Sequence, residues 1–302
     1  MGNKNSSSNL KRKQNTLFLN KHETIDSIEG EKPKYYLPND SNDIDGLHLI
    51  HFLKKHLYHN NFSVPIEEHL IQGGCKVLDV GCGPGTWLLD LSMKYKDSYF
   101  FGLDIMPVFP IEIKPKNLEF IESDIFKGLP FPDNVFDFVH QSSMLFAVRT
   151  DQWDYVISEL IRVTKPGGFI ELVEFTGSQN NGPALTNLYD IYQDSCSQRG
   201  VDLLLTCNLD NIIQANGDIT KVQNDTRSFL IGPNGGKLGM VMQDIFLMYN
   251  TSVTSIEHLS SKQGISKVVV KNMLNEIVNE LKEFLFENPV VGSSPNSIEI
   301  AF

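Results

Sequence analysis

Three observations predict a doubly wound α/β fold with a mostly parallel sheet. Short apolar runs alternate with amphipathic segments between residues 76 and 175. The connections between them are short, as strand–helix–strand units packed on both faces of a sheet require. A glycine-rich turn also joins the first apolar run to the amphipathic segment that follows it. The elements can be placed in order. Residues 44–58 set Leu47, Ile50, Leu53 and Leu57 at helical spacing. Lys76–Val80 reads as a strand, Gly81–Gly85 as the loop, and Thr86–Tyr95 as a helix offering Trp87, Leu88, Leu91 and Met93 for packing. Strands are predicted over Ser98–Ile105, Leu118–Ser123 and Val135–Gln141. Gln152–Val163 is an amphipathic helix stopped by Pro166-Gly167-Gly168, and Phe169–Phe175 is a buried strand. Beyond it the pattern predicts a helix near Ala184–Gln198, a strand pair within Thr220–Ile231, and a helix from Val268 to about Phe286. Periodicity places no further strand in the C-terminal third.

Composition narrows the function. With 41% apolar and 21% charged residues, the chain has the mix of a globular protein. No run approaches the roughly 18 apolar residues of a membrane span, and no apolar segment follows Met1 as in a secretory signal. The four cysteines, Cys75, Cys82, Cys196 and Cys207, form no C-x-x-C pair, which points to a reducing compartment. The expected location is the cytoplasm. The net charge of −11 is unevenly spread: residues 1–34 carry seven basic and four acidic side chains, the rest nineteen and thirty-three. A body that acidic repels phosphate backbones, so no nucleic-acid partner is expected. A small-molecule or protein substrate fits better.

Residues 1–34 are rich in Asn, Ser and Lys without apolar periodicity, and read as a disordered polar tail. Met1-Gly2-Asn3-Lys4-Asn5-Ser6 fits the N-myristoylation pattern, with Lys4 and Lys11–Lys13 as a weak electrostatic second signal. Peripheral membrane contact through Gly2 is one reading, with a nuclear location a further option; a plain polar tail is the other. One domain is expected over 35–302.

The strongest chemical signal is Val77-Leu78-Asp79-Val80-Gly81-Cys82-Gly83-Pro84-Gly85. A side chain at Gly81 or Gly83 would occupy the space in which a cofactor lies against such a loop. Asp104 ends the next strand, about twenty residues further on, where an acid accepts hydrogen bonds from both ribose hydroxyls of a nucleotide. Bonds to a charged acceptor contribute about 1.5–3 kcal/mol each. A strand-end turn residue is the plainer reading of Asp104.

Dinucleotide sites favour G-x-G-x-x-G, whereas this loop is G-x-G-x-G with an acid two residues before its first glycine. In that respect the chain resembles the class I S-adenosylmethionine-dependent methyltransferases. Leu129-Pro130-Phe131-Pro132-Asp133-Asn134-Val135-Phe136-Asp137 is similar to that family's entry to its fourth strand, and Arg162-Val163-Thr164-Lys165-Pro166-Gly167-Gly168 to its turn into the fifth. The resemblance covers about residues 75–175. It implies a Rossmann-like, seven-stranded sheet with S-adenosylmethionine as cofactor. It also implies cofactor contacts from Asp79, Gly81, Gly83, Gly85, Asp104 with its neighbour Ile105, Asp124 at the adenine amino group, Ile125 over the ring, and Gln141. Asp79 either reaches the cofactor's amino group or braces the loop by accepting backbone N–H groups.

A narrower resemblance lies upstream. Tyr35-Tyr36-Leu37-Pro38-Asn39-Asp40, then Asp45, Leu47, Leu49 and His51, is similar to the leader of fungal methyltransferases of the secondary-metabolism-regulator, velvet-partner type. Gly46 and Ile50 depart from that pattern, which has Arg and Gln there. Both lie in the helix expected to cover the cofactor. By this resemblance 35–70 is an N-terminal helical cover, 75–175 the cofactor-binding core, and 176–302 the substrate-side part, with Tyr35 and Tyr36 in a lid. Ile231-Gly232-Pro233 and Lys237-Leu238-Gly239 agree more loosely.

Methyl transfer from a sulfonium needs alignment above all, worth about 7–11 kcal/mol, and a base only when the nucleophile arrives protonated. His140 and Glu174, after the fourth and fifth strands, are the candidates; His140 is equally an ordinary strand-end histidine. His48 and His51, spaced i,i+3, lack a nearby acid or cysteine to complete a metal site, so no metal is expected. Two other readings stand beside the enzyme: a dehydrogenase-like NAD binder, disfavoured by the loop spacing, and a catalytically silent scaffold that binds the cofactor and protein partners. Gly83→Val and Asp104→Ala are each expected to remove cofactor binding while leaving the fold intact.

Overall fold

The computed structural model describes residues 41–300 except 176, 178–179, 206–208, 217–218, 223–224, 253–254, 258, 261–263 and 265. The 1–34 tail with its Gly2 pattern, the Tyr35–Asp40 leader and Cys207 lie outside the described residues.

Eight described strands form one sheet. They are β1 (Lys76–Val80), β2 (Tyr99–Asp104), β3 (Leu118–Glu122), β4 (Phe136–Ser142), β5 (Thr164–Phe175), β6 (Ile219–Lys221), β7 (Asp225–Leu230) and β8 (Glu287–Ile300). The order is β3-β2-β1-β4-β5-β8-β6, with β7 also on β8. The first five strands are parallel, and β8 runs antiparallel to β5. This corrects two expectations. Eight strands stand in place of seven, because β6 pairs with the end of β8 at Glu299–Ile300 and β7 with its start at Glu287–Gly292. The strand pair expected within 220–231 is therefore no hairpin: both members pair with a strand that local pattern did not reveal.

Alternation along β1 decides which helices cover which face. Val77 packs with Leu70 of α2 (Glu67–Gln72) and with Trp87, Leu88 and Leu91 of α3 (Thr86–Lys94), beside Phe100 and Phe138. Leu78 and Val80 point the other way, onto Trp153, Val156, Leu160 and Val163 of α4 (Trp153–Val163). Those four lie three or four residues apart, the spacing that aligns one helical stripe with a sheet. A third buried cluster joins Leu53 of α1 (Ser41–Tyr58) to α5 (Pro183–Ser197), α7 (Gly236–Thr251) and α8 (Lys267–Glu283); the short α6 (Leu209–Ala215) packs with α4. Gly46 sits close to α7: a Cβ on it would meet the Tyr249 ring at 3.0 Å, so a larger residue there requires that ring to shift.

β1 is flanked by β2 on one side and β4 on the other, the point at which strand order reverses. In open α/β sheets ligands bind in the crevice outside the carboxyl ends of the strands at that point. Helix α1 lies across it.

Candidate active site

The loop after β1 takes the left-handed backbone at all three glycines, φ +75° at Gly81, +52° at Gly83 and +75° at Gly85. Gly83 is the open one: a Cβ there would meet only Leu47 of α1, at 3.7 Å. The loop is held by Asp104. One carboxylate oxygen accepts Gly83 N–H at 2.8 Å and the other accepts Met106 N–H at 2.9 Å. Burial raises the Asp104 pKa, and those two N–H bonds oppose the rise. Each oxygen keeps a lone pair for a hydroxyl donor. An open backbone cradle beside a hydrogen-bonded acid fits the adenosyl part of the expected cofactor.

A cavity of about 120 Å³ lies between α1, this loop and the ends of β4 and β5. Asp79, Gly81, Gly83 and His140 of the expected site line it. Asp79 Oδ1 accepts His140 Nδ1–H at 2.7 Å, with both residues buried. His140 also stacks on Trp87, with centroids 4.1 Å apart and planes at 12°. A histidine fixed through Nδ1 presents Nε2 as its acceptor when neutral. Register explains the pairing, since Asp79, His140 and Glu171 sit side by side on β1, β4 and β5, and so on one face.

The other expected residues are placed elsewhere. Gln141 follows His140 in β4 and so faces the opposite side; its amide is fully buried with neither polar atom partnered. Glu174 is buried but turned into the chain after β4, its oxygens accepting Met144 N–H at 2.7 Å and Leu145 N–H at 3.2 Å. It braces that turn. Asp124 caps the short 3₁₀ turn after β3 by accepting Phe126 N–H at 3.0 Å, Ile125 is buried in the α4-side core, and Ile105 is half-buried beside Asp104. His48 Nδ1 pairs with Thr86 Oγ1 at 2.5 Å, and His51 Nε2 lies 3.6 Å from Asp90. No cluster of three or more His, Cys, Asp or Glu suited to a metal occurs among the described residues. Burial pushes the Cys82 thiol well above its usual pKa, so it stays protonated.

Two residues enter that sequence reasoning passed over. Lys54 of α1 donates to Ser142 Oγ and, at 2.8 Å, to Ser143 Oγ, with its Nζ 4.8 Å above the Phe175 ring. Glu171 accepts from Ser63 N at 2.9 Å and from Ser63 Oγ. Both gave a signal: Lys54 stands seven residues after Leu47 on the apolar stripe of its helix, and Glu171 interrupts an apolar run.

Half-buried Lys54 and buried Glu174 lie near enough to influence each other's charge. Burial lowers Lys54 to about 8, against the pull of Glu174 and Asp79, and raises Glu174 to about 7, against the opposing charge of Lys54. Between pH 4.5 and 7 the native Glu174 therefore holds a proton that the unfolded chain has released, so its contribution falls as pH rises. Lys54→Met removes the charge that restrains this shift. The stability of the variant relative to wild type is expected to fall as pH rises from 5.5 to 8.5; a difference that does not change with pH would disprove the pairing.

A parallel sheet in this order, with a left-handed glycine loop after its first strand and an acid closing its second, defines a Rossmann-like cofactor-binding domain. Residues 77–168 match the family model described as a methyltransferase domain. Over that stretch, about a third of the chain, the sequence is similar to a methyltransferase domain. The chain is 30% identical over 167 residues to "N-methyltransferase verN" of Clonostachys rogersoniana, covering 54% of this chain and 58% of that protein. It is 27% identical over 176 residues to "Protein-methionine methyltransferase laeA" of Emericella nidulans, covering 54% and 44%. With "Secondary metabolism regulator LAE1" of Cochliobolus heterostrophus it shares 33% over 113 residues, covering 37% and 35%. The matched region thus spans about half the length, or less, of these relatives. Among solved structures, phosphoethanolamine N-methyltransferase 2 of Haemonchus contortus aligns at 16% identity with a TM-score of 0.42, covering 81% of this chain and 56% of that one.

Proposed function

We propose that the protein transfers a methyl group from S-adenosylmethionine to a small-molecule or protein acceptor seated between α1 and the carboxyl ends of β4 and β5. The observation that carries this reading is the glycine loop: its open side at Gly83 and its bonded acid, Asp104, face the crevice at the strand-order reversal. Bound there, the cofactor supplies a methyl group already attached to a sulfonium leaving group. The chain's own tasks are then to hold, align and deprotonate. Backbone at Gly81 and Gly83 leaves room for the ligand, and Asp104 receives the ribose hydroxyls. Asp124 and Ile125, at the end of β3, serve the adenine. His140, oriented by Asp79 and flattened against Trp87, offers Nε2 to a proton on the acceptor. Lys54, tied to Ser142 and Ser143, lines the same cavity from α1.

A second reading, a cofactor-binding regulator that does not turn over, is favoured by relatives named as secondary metabolism regulators. A cytoplasmic location belongs to the first reading, supported by the free, buried thiols of Cys75, Cys82 and Cys196; membrane contact through Gly2 rests on the sequence pattern alone. Calorimetric titration with S-adenosylmethionine, with NAD as control, tests the cofactor assignment. Micromolar binding of the first alone is expected. Release of S-adenosylhomocysteine in the presence of acceptor-containing extracts then separates enzyme from regulator. Failure to bind S-adenosylmethionine overturns both.

A further inference from the structure

We propose that Glu171 and Asn61 form the head-group subsite of the acceptor pocket, and that the molecule seated there presents a primary or secondary ammonium group. The proposal rests on the methyltransferase reading only in naming the occupant as the acceptor. Three polar atoms lining the cavity are buried without a hydrogen-bond partner: Glu171 Oε2, Asn61 Oδ1 and His51 Nε2. The first two can only accept. The identity of the Asn61 oxygen is fixed by its amide nitrogen, which donates to Asp90 Oδ2 at 2.8 Å. Burial holds His51 down to about 4, so it is neutral and adds no donor-rich cation of its own. Neither acceptor is met by a donor among the described residues.

Glu171 is 2% exposed, and its other oxygen is already taken by Ser63 N–H and Oγ–H. A buried acceptor left unpaired costs about 1–3 kcal/mol, and more when charged. The nearest mobile cation on α1, Lys54, is engaged by Ser142 and Ser143, and Lys55 is bound to Asp90 at 2.5 Å. A ligand must then bring both the N–H groups and the positive charge. An ammonium does so in a volume the cavity can hold. A carboxylate or phosphate brings no N–H group to either acceptor.

The same chemistry is carried by the amino-acid end of the cofactor, and the test separates the two sources. Wild-type protein saturated with S-adenosylhomocysteine is titrated with n-butylamine, n-butanol and butyrate by saturation-transfer NMR. Binding of n-butylamine at least tenfold tighter than either control is expected. Glu171→Gln, which keeps an oxygen for Ser63, should weaken n-butylamine at least tenfold while changing S-adenosylhomocysteine affinity by less than threefold. Retained nucleoside binding also shows that the variant is folded; should it not fold, Asn61→Leu is titrated in its place with the same expectations. Equal binding of amine and alcohol, or amine binding untouched by the substitution, overturns the inference and leaves the proposed function standing. Loss of S-adenosylhomocysteine binding in Glu171→Gln assigns the subsite to the cofactor and also overturns it. If wild-type protein binds no S-adenosylhomocysteine, the proposed function fails by itself, and the amine titration of the protein alone still decides the subsite.

Discussion

Gly83→Ala is expected to weaken S-adenosylmethionine binding by about ten- to a hundredfold while lowering the melting temperature by only a few degrees. The backbone at Gly83 is left-handed, φ +52°, a conformation that costs a residue with a Cβ roughly 1–2 kcal/mol. Against the protein itself the new methyl meets almost nothing, since Leu47 stands 3.7 Å away. Its volume falls on the side proposed for the cofactor, and overpacking of that kind costs about 1–3 kcal/mol, or up to two orders of magnitude in affinity. Gly85 supplies the contrast. A Cβ there would be 2.3 Å from the Phe120 ring, so that ring, stacked on Phe109 at 4.8 Å, must shift. Gly85→Ala should therefore lose stability first. Calorimetry and thermal melts on the two variants check the division; wild-type affinity in a folded Gly83→Ala protein would sink the loop assignment.

The parts legible in the sequence are those whose causes are local. From β1 to β5, alternation, a glycine turn and an acid at a strand end each act within a few residues, and predicted and observed elements agree within a residue or two except at the start of β5, which begins at Thr164. The C-terminal third hides its cause in distant backbone. Strand β8 contains Pro289, Gly292, Ser293, Ser294 and Pro295, a turn-like composition, and is held by pairing with β5 and β7. Helix α7 opens Gly236-Lys237-Leu238-Gly239 and so reads as loop. Gly239 is needed because a Cβ on it would lie 2.3 Å from Gly232 O, and Gly232 N–H donates to Gly239 O at 2.9 Å, tying together two motifs that sequence could only set side by side. In the site, the glycines and Asp104 were visible by spacing. The partner of Asp79 was not, because it depends on β4 lying beside β1 in one register.

Asp104→Ala is expected to destabilise the protein by about 2–6 kcal/mol as well as to abolish cofactor binding, where spacing alone predicts loss of binding with the fold intact. The difference follows from the two backbone donors that the carboxylate satisfies, Gly83 N–H and Met106 N–H. Deleting their acceptor leaves the N–H groups of half-buried Gly83 and Met106 without it, at up to about 1–3 kcal/mol each. That is a large share of the roughly 5–15 kcal/mol by which a domain is stable, so lost binding in the alanine variant would not by itself identify a ribose contact. Asp104→Asn separates the two roles. It keeps the side-chain shape and one acceptor oxygen, and should cost about 1–3 kcal/mol for the single lost bond. The charge that strengthens a bond to each ribose hydroxyl is gone, which corresponds to a fall of about tenfold or more in affinity. Urea unfolding gives the first quantity and calorimetry the second. An asparagine variant that is less stable yet binds S-adenosylmethionine as tightly as wild type would confine Asp104 to bracing the loop.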